Sequence, residues 1–261
     1  MQFYGDYHTH TKNSDGHSTV EENVLAAKAR GFLDVAITDH GLGCVIMKEK
    51  DFRKCFLEVE EARKKHPDIN ILFGIENTII DADGLIDMPV ERMEEFDIHI
   101  VGFHFPIRIP SGKAFREFWW PALLHGNSDK PSRELIERNT RAHIKMLEKY
   151  PVDILVHIGD HTPLDAKEVA KACADLGTYI ELNSKHLPQC EKMLDAMLGT
   201  GVQFIADSDG HRAERVGEFS ETEKLIEKFG LQDRVVNLRT NFYLRSKGRE
   251  IIRPTVSGYK I

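Results

Sequence analysis

Along the chain, short runs rich in apolar and β-branched residues alternate with longer stretches whose apolar positions recur at helical spacing. The short runs are residues 2–7, 34–38, 69–75, 97–103, 153–156, 178–182 and 203–206, most of them preceded by Gly, Pro or Asp. Seven such runs separated by amphipathic stretches are the sequence form of repeated β–α units around a parallel sheet. Between the runs, Ser18 and Glu21 make a capping box that opens a helix over 19–30, stopping before Gly31. Thr162-Pro163 with Asp165 opens another that runs to about residue 176. Further helices are expected near 51–65, 132–149 and 189–198. Residues 78–87 (TIIDADGLID) place Asp83-Gly84 between alternating apolar residues, which predicts a hairpin outside the main sheet.

One stretch breaks this rhythm. From about 105 to 131 the chain carries Pro106, Pro110, Gly112, Pro121 and Gly126 together with both tryptophans, Trp119 and Trp120. It reads as an inserted loop poor in regular structure, either a lid over a site or a plug anchored on its tryptophans. No repeat, low-complexity tract or linker divides the chain, so a single domain over residues 1–261 is expected.

Composition narrows the class. At 261 residues and 41% hydrophobic content a sizeable core is available, so disorder is excluded. No run approaches the roughly 18 apolar residues of a membrane helix. Lys+Arg 35 against Asp+Glu 42 leaves a net charge of −7, a field that argues against non-specific binding of long nucleic acid. An anionic substrate would need local positive charge. Cys44, Cys55, Cys173 and Cys190 form no CxxC pair, and the N-terminus turns polar at Gly5-Asp6 instead of offering a signal segment. The expected setting is reducing and cytoplasmic.

The chain holds 13 histidines, about twice ordinary usage, and their positions matter more than their number. The first run ends in His8-Thr9-His10, the second in Thr38-Asp39-His40, the third in Gly74-Ile75-Glu76 and the fourth in Gly102-Phe103-His104. The fifth ends in Leu155-Val156-His157 and the seventh in Ser208-Asp209-Gly210-His211. Six of seven strands therefore deliver a metal-type ligand at their C-terminal ends, which in a parallel barrel open on one face. His8 and His10, like Asp209 and His211, are two residues apart and point the same way in extended backbone. His17 adds a further candidate from the first loop. Imidazole with carboxylate suits Zn, Fe or Mn better than Ca or Mg.

These segments, read as Asp6-Tyr7-His8-Thr9-His10-Thr11, Ser14-Asp15-Gly16, Ile37-Thr38-Asp39-His40-Gly41, Gly74-Ile75-Glu76, Gly102-Phe103-His104 and Ser208-Asp209-Gly210-His211, resemble in order the motifs of the polymerase and histidinol phosphatase (PHP) family of phosphoesterases. The stand-alone bacterial phosphatases and the histidinol-phosphatase branch are nearest in pattern. The resemblance implies a distorted seven-stranded (β/α) TIM-like barrel with its active site at the C-terminal face of the strands and three divalent ions. It distributes the ligands as His8, His10, Glu76 and Asp209 around one ion, Glu76, His104 and His157 around a second, and His17, His40 and His211 around a third. Glu76 then bridges two ions. The chain departs from the pattern at His157-Ile158-Gly159-Asp160 and at Glu181-Leu182-Asn183-Ser184-Lys185-His186, which weakens a histidinol-phosphate assignment.

The function this implies is hydrolysis of a small phosphomonoester by a metal-activated hydroxide, with Glu76 and Asp209 at the reacting centre. Lys12, Arg108, Lys185 and Arg212 are candidate cations near the same face, and Lys185 and Arg212 are the two expected to assist. His66, His99 and His143 read as structural, and His125, His161 and His186 as residues of the face loops. Two competitors are a phosphodiesterase or 3′–5′ exonuclease, and a non-catalytic metal-bound module that docks to a partner. Substrate, native metal and oligomeric state are not encoded in any motif.

Overall fold

The computed structural model describes residues 1–126, 128 and 130–252. Seven parallel strands pair in chain order: β1 (Gly5–Asp6), β2 (Asp34–Ile37), β3 (Asn70–Thr78), β4 (Ile98–Gly102), β5 (Ile154–Leu155), β6 (Tyr179–Asn183) and β7 (Phe204–Asp207). A parallel bridge between Thr9 and Gly210 brings the last strand back to the first. His10 N donates to Gly210 O at 2.9 Å and Gly210 N to His8 O at 3.2 Å. The sheet is thus a nearly closed barrel, as its pattern of alternating elements implied.

The helices are α1 (Val20–Ala29), α2 (Glu49–Lys65), α3 (Gly112–Ala114), α4 (Trp120–His125), α5 (Arg133–Lys149), α6 (Ala166–Leu176), α7 (Leu187–Leu198) and α8 (Ser220–Phe229). The capping box of α1 lies one residue later than the sequence suggests: Thr19 accepts from Glu22 N, and Glu22 returns the bond to Thr19 N. Either register satisfies two N-terminal amides, and packing of Val20 and Val24 decides between them. For α6 the cap is Asp165 and not Thr162, with Asp165 accepting from Lys167 N and Glu168 N.

Alternation along the strands sorts side chains into two layers. Ile71, Phe73, Val101, Ile180 and Phe204 face outward into the core shared with the helices. Leu72, Ile98, Ile100, Ile154, Tyr179 and Ile205 face inward and fill the lower barrel. That inner cluster is closed by Phe242, Leu244 and Ile251 from a C-terminal hairpin, β8 (Tyr243–Leu244) with β9 (Arg249–Glu250), which short polar-flanked runs did not predict. Above the apolar layer the inward positions turn polar: Glu76, Glu181, Asn183 and Asp207 are all buried.

Two connections depart from a plain β–α repeat. Between β3 and β4 the chain makes the expected hairpin, with an antiparallel bridge from Ile79 to Ile86, and then a 3-10 turn over Val90–Glu95. The 105–131 segment is not structure-poor. It carries α3, a π-helical turn over Phe115–Trp119 and α4 in unbroken succession. Phe118 and Trp119 point into the core, where Trp119 stacks on Phe103 at 4.5 Å and donates from Nε1 to Ile80 O at 2.8 Å. Proline and glycine content suggested a loop, but Pro121 sits where the π-helical turn passes into α4, a change of helical register that accommodates its missing amide.

Candidate metal centre

Strand register brings eight of the nine expected ligands together at the C-terminal mouth of the barrel. Glu76, at the inward position near the end of β3, is the hub. Its Oε1 lies 3.0 Å from His8 Nε2, 2.7 Å from His104 Nε2 and 3.0 Å from His157 Nε2. Its Oε2 lies 3.4 Å from His10 Nε2 and 2.8 Å from His40 Nδ1. Asp209 Oδ1 is 3.6 Å from His10 Nε2 and 3.2 Å from His211 Nδ1.

The ninth position is corrected by the structure. His17 is exposed and contributes its backbone, N–H donating to His211 O at 2.7 Å. Asp15 takes the expected place instead: its Oδ2 lies 3.4 Å from His40 Nε2 and 3.1 Å from His211 Nε2. His10, Asp15, His40 and His211 form one group of convergent donors, beside His8–His10–Glu76 and His40–Glu76–His104. The loop is turned at Gly16, where a Cβ would sit 2.6 Å from the His10 carbonyl, so Asp15 points in and His17 out. Asp39 holds this loop, accepting from Thr11 N and Oγ1 and from Ser14 Oγ. It is a loop anchor behind His40.

A carboxylate that no sequence argument singled out supports the ligands from below. Buried Glu181, on β6, meets His8 Nδ1 at 2.6 Å and accepts from His157 N and Asn183 Nδ2. A carboxylate on the far nitrogen of a metal-binding imidazole fixes its tautomer and aim. The signal available in the sequence was the period-two placement of Glu181 and Asn183 at a strand end. His157 and Asp209 hold left-handed backbone, at φ 29° and 50°. Such conformations cost non-glycine residues about 1–2 kcal/mol and gather at functional sites. Gly102 is required here, since a Cβ would lie 2.3 Å from the His157 ring.

Charge is balanced inside the cluster. Burial opposes ionisation of Glu76, but the His104, His8 and His40 imidazoles outweigh it and hold its carboxyl well below the usual range. Burial of His8 is outweighed by Glu76, Glu181 and Asp209, which raise it well above an ordinary histidine. Burial, then His40, drives His10 well below. Burial takes His104 down to about 4. Burial thus disfavours the charged form of both rings, and the neutral imidazole is the form that ligates metal.

The arrangement fits metal ions. Donors sharing a tetrahedral site at about 2.0–2.1 Å stand about 3.3 Å apart, close to the spacings around Glu76. Glu76 Oε2 and His40 Nδ1 approach to 2.8 Å, yet both are buried and neither makes a hydrogen bond. Two facing buried polar atoms left without hydrogen bonds are expected where an ion completes them.

The cluster floors a cavity of about 250 Å³. Lys185, His161 and His186 line it, with Lys185 Nζ 3.3 Å and His186 Nε2 3.6 Å from Asp209 Oδ2. Arg212 is exposed and does not line the cavity. Lys12 pairs loosely with Glu22 at the surface, and His125 is exposed. Arg108 turns away from the ligands to bind backbone carbonyls. His99 and His143 are buried and bonded to Met93 O and Asn139 O, which makes them structural.

Among known families, the PHP domain matches residues 6–185. A protein of Acetivibrio thermocellus named "Probable phosphatase" is 30% identical over 237 residues, covering 87% of this chain and 88% of its own. One of the same name from a Thermoanaerobacter species is 30% identical over 266 residues, covering 96% and 98%. By structure, the histidinol phosphate phosphatase of Lactococcus lactis, solved with zinc, L-histidinol and phosphate, superimposes with a TM-score of 0.60 at 18% identity, over 87% of this chain and 94% of that one. A chain of an archaeal ribonuclease P solved with mature tRNA gives 0.51 at 10% identity, over 90% and 86%. At those identities the two structures speak for the fold alone.

Proposed function

The chain belongs to the PHP domain family, and from that premise we propose that it is a metal-dependent phosphatase that hydrolyses a small phosphomonoester at three divalent ions. The observation that carries the reading is the convergence of nine donor residues, from six strand ends and one loop, about the buried carboxylate of Glu76 at the floor of a small cavity. His8, His10, Glu76 and Asp209 would hold one ion, Glu76, His104 and His157 a second, and Asp15, His40 and His211 the third. When bound, the ions (Zn, Mn or Fe) supply Lewis acidity toward phosphoryl oxygens and acidify water at neutral pH.

The protein's own part is to assemble and aim. Glu76 would serve two positions, its Oε1 facing His104 and His157 and its Oε2 facing His10, and Glu181 meets the far nitrogen of the His8 ring, whose Nε2 faces Glu76. Lys185 adds a cation at the rim, where an ester's negative charge must enter a chain of net charge −7. Overall, water and ester give the alcohol and inorganic phosphate. A cavity smaller than the roughly 300–1,000 Å³ of typical ligand pockets favours a small ester over an oligonucleotide. No helix among the described residues is long and apolar enough to cross a membrane.

Elemental analysis of chains loaded with Zn, Mn or Fe, followed by a phosphate-ester panel, tests the proposal. Three ions per chain with release of inorganic phosphate is the expected result. One ion or fewer would remove the trinuclear assignment, and three ions without turnover would favour the non-catalytic module.

A further inference from the structure

Part of the cavity wall is apolar, exposed and rigidly held, a combination that core packing does not account for. Val45, Ile46, Phe105 and Pro106 line the cavity with the ligands His40 and His104. Val45, Ile46 and Phe105 are 42%, 48% and 54% exposed, respectively. They stand on two segments clasped together. Cys44 and Ile107 form an antiparallel bridge, and Arg108 N donates to Gly43 O at 2.7 Å. The Arg108 guanidinium then donates to four carbonyls of the facing loop, Leu42 O at 2.5 Å, Cys44 O at 2.9 Å, Val45 O at 2.8 Å and Met47 O at 2.9 Å. From the other side Gly43 N donates to half-buried Asp87 at 2.7 Å.

A loop that exposes β-branched and aromatic side chains ordinarily relaxes to cover them. Here the backbone is fixed on two sides, so the side chains stay presented beside the metal ligands. A fixed apolar surface continuous with a reaction centre gains by being covered during the reaction, and its pre-organisation lowers the entropy loss of binding. The loop position is set by Arg108, the residue whose charge alone would have suggested a phosphate contact.

Resting on the phosphatase reading above, we propose that Val45, Ile46 and Phe105 form the subsite for the alcohol part of the substrate, and that the enzyme selects phosphomonoesters of an apolar, ring-bearing alcohol over those of polyhydroxylated ones. Arg108 is a positioning residue for that wall. The polar lining residues outside the cluster, Asp160, His161, Lys185 and His186, leave room for a polar substituent on the same group without changing the preference for an apolar body.

The test uses the full chain loaded with metal, calorimetric binding of phenylphosphonate and methylphosphonate, and kinetics on phenyl phosphate and glycerol 1-phosphate. The wild type should bind phenylphosphonate about tenfold tighter than methylphosphonate, the scale on which apolar pockets discriminate. Ile46→Asn and Phe105→Ser replace exposed side chains, so the fold tolerates them. Both should erase that ratio, raising KM for phenyl phosphate about tenfold with kcat within about threefold of wild type, and leaving KM for glycerol 1-phosphate unchanged. Arg108→Lys, which keeps the charge and loses the fork, should show the same KM-only pattern. Equal affinity of the wild type for both phosphonates, or a ratio that survives both wall variants, overturns the subsite while leaving the phosphatase in place. A change of oligomeric state in those variants with kinetics unaltered would assign the patch to a second copy of the chain and overturn it too. Neither binding nor hydrolysis by the loaded wild type would overturn both readings.

Discussion

Trp119 decides whether the segment around it is a lid or part of the barrel. Its side chain is fully buried, stacks on Phe103 one residue before the ligand His104, and satisfies its indole N–H on Ile80 O. Truncating such a residue to alanine removes a large apolar surface, opens a cavity and leaves the Ile80 carbonyl without its donor. Trp→Ala in a core costs about 3–5 kcal/mol. A chain of this length unfolds with an entropy of roughly 0.5 kcal/mol/K, so the melting temperature should fall by roughly 6–10 °C. Trp120, its neighbour in sequence, is 49% exposed. Trp120→Ala should therefore change stability by no more than about 1 kcal/mol and melting by roughly 2 °C. Differential scanning calorimetry on the two variants and the wild type, metal-loaded and at one concentration, measures the contrast. A Trp119→Ala protein that melts within 2 °C of wild type while its KM rises several-fold would refute the structural role and restore the lid.

The third metal position separates Asp15 from His17. Asp15→Ala should lower the bound metal by one ion per chain and reduce kcat/KM by about 100-fold or more, while His17→Ala should leave both within about threefold of wild type, as read by elemental analysis and initial rates. Glu181→Gln should keep the fold but lower metal affinity about 10–100-fold, measured by competition with a chelator, because His8 loses the carboxylate that orients it. Asp153, buried under the C-terminal hairpin and bonded by His99 N and Ser246 N, is pushed up to about 6 by burial. The folded state then holds this proton where the unfolded chain has released it, so the group's stabilising contribution is present at low pH and is lost as pH rises from about 4 to about 6. The shift of about two units corresponds to about 3 kcal/mol at most. Asp153→Asn should therefore flatten the stability-versus-pH curve between pH 4 and 6 relative to wild type, as followed by urea unfolding.

The convergence of the candidate ligands was legible in the sequence because each closes an apolar run. Strand register fixes where a run ends, so His8, His10, His40, Glu76, His104, His157 and Asp209 are placed on one face by the sequence alone. Asp15 was not legible in the same way. It lies in a turn whose direction depends on the close approach of Gly16 to the His10 backbone, a tertiary contact without a periodic signature. Asp15 and His17 are both competent donors, and composition cannot choose between them. Glu181 escaped for a related reason: it supports other candidate ligands, and its role appears only when β6 lies beside β5 and closure of the barrel brings His8, just after β1, against it. Proline and glycine in the 105–131 segment spoke for a loop, yet tertiary burial of Phe118 and Trp119 stabilised helical turns there. Local propensity yields where packing is strong.

Chemistry and selectivity are consequently built on different foundations in this barrel. The metal-type donors sit at strand ends, and each is constrained by sheet pairing, by the apolar layer beneath and by buried carboxylates such as Glu181 and Asp39. Moving one requires moving a strand. The apolar wall hangs from the loops after β2 and β4, joined through the side chain and backbone of one arginine. Those loops are free of the sheet ladder, so substitutions in 44–46 or at 105 alter the cavity without disturbing the register that aims Glu76. Exposed positions there also lose little stability when changed. Substrate preference can therefore change with the wall while the cluster stays in place, so the wall must be read from this chain's own residues.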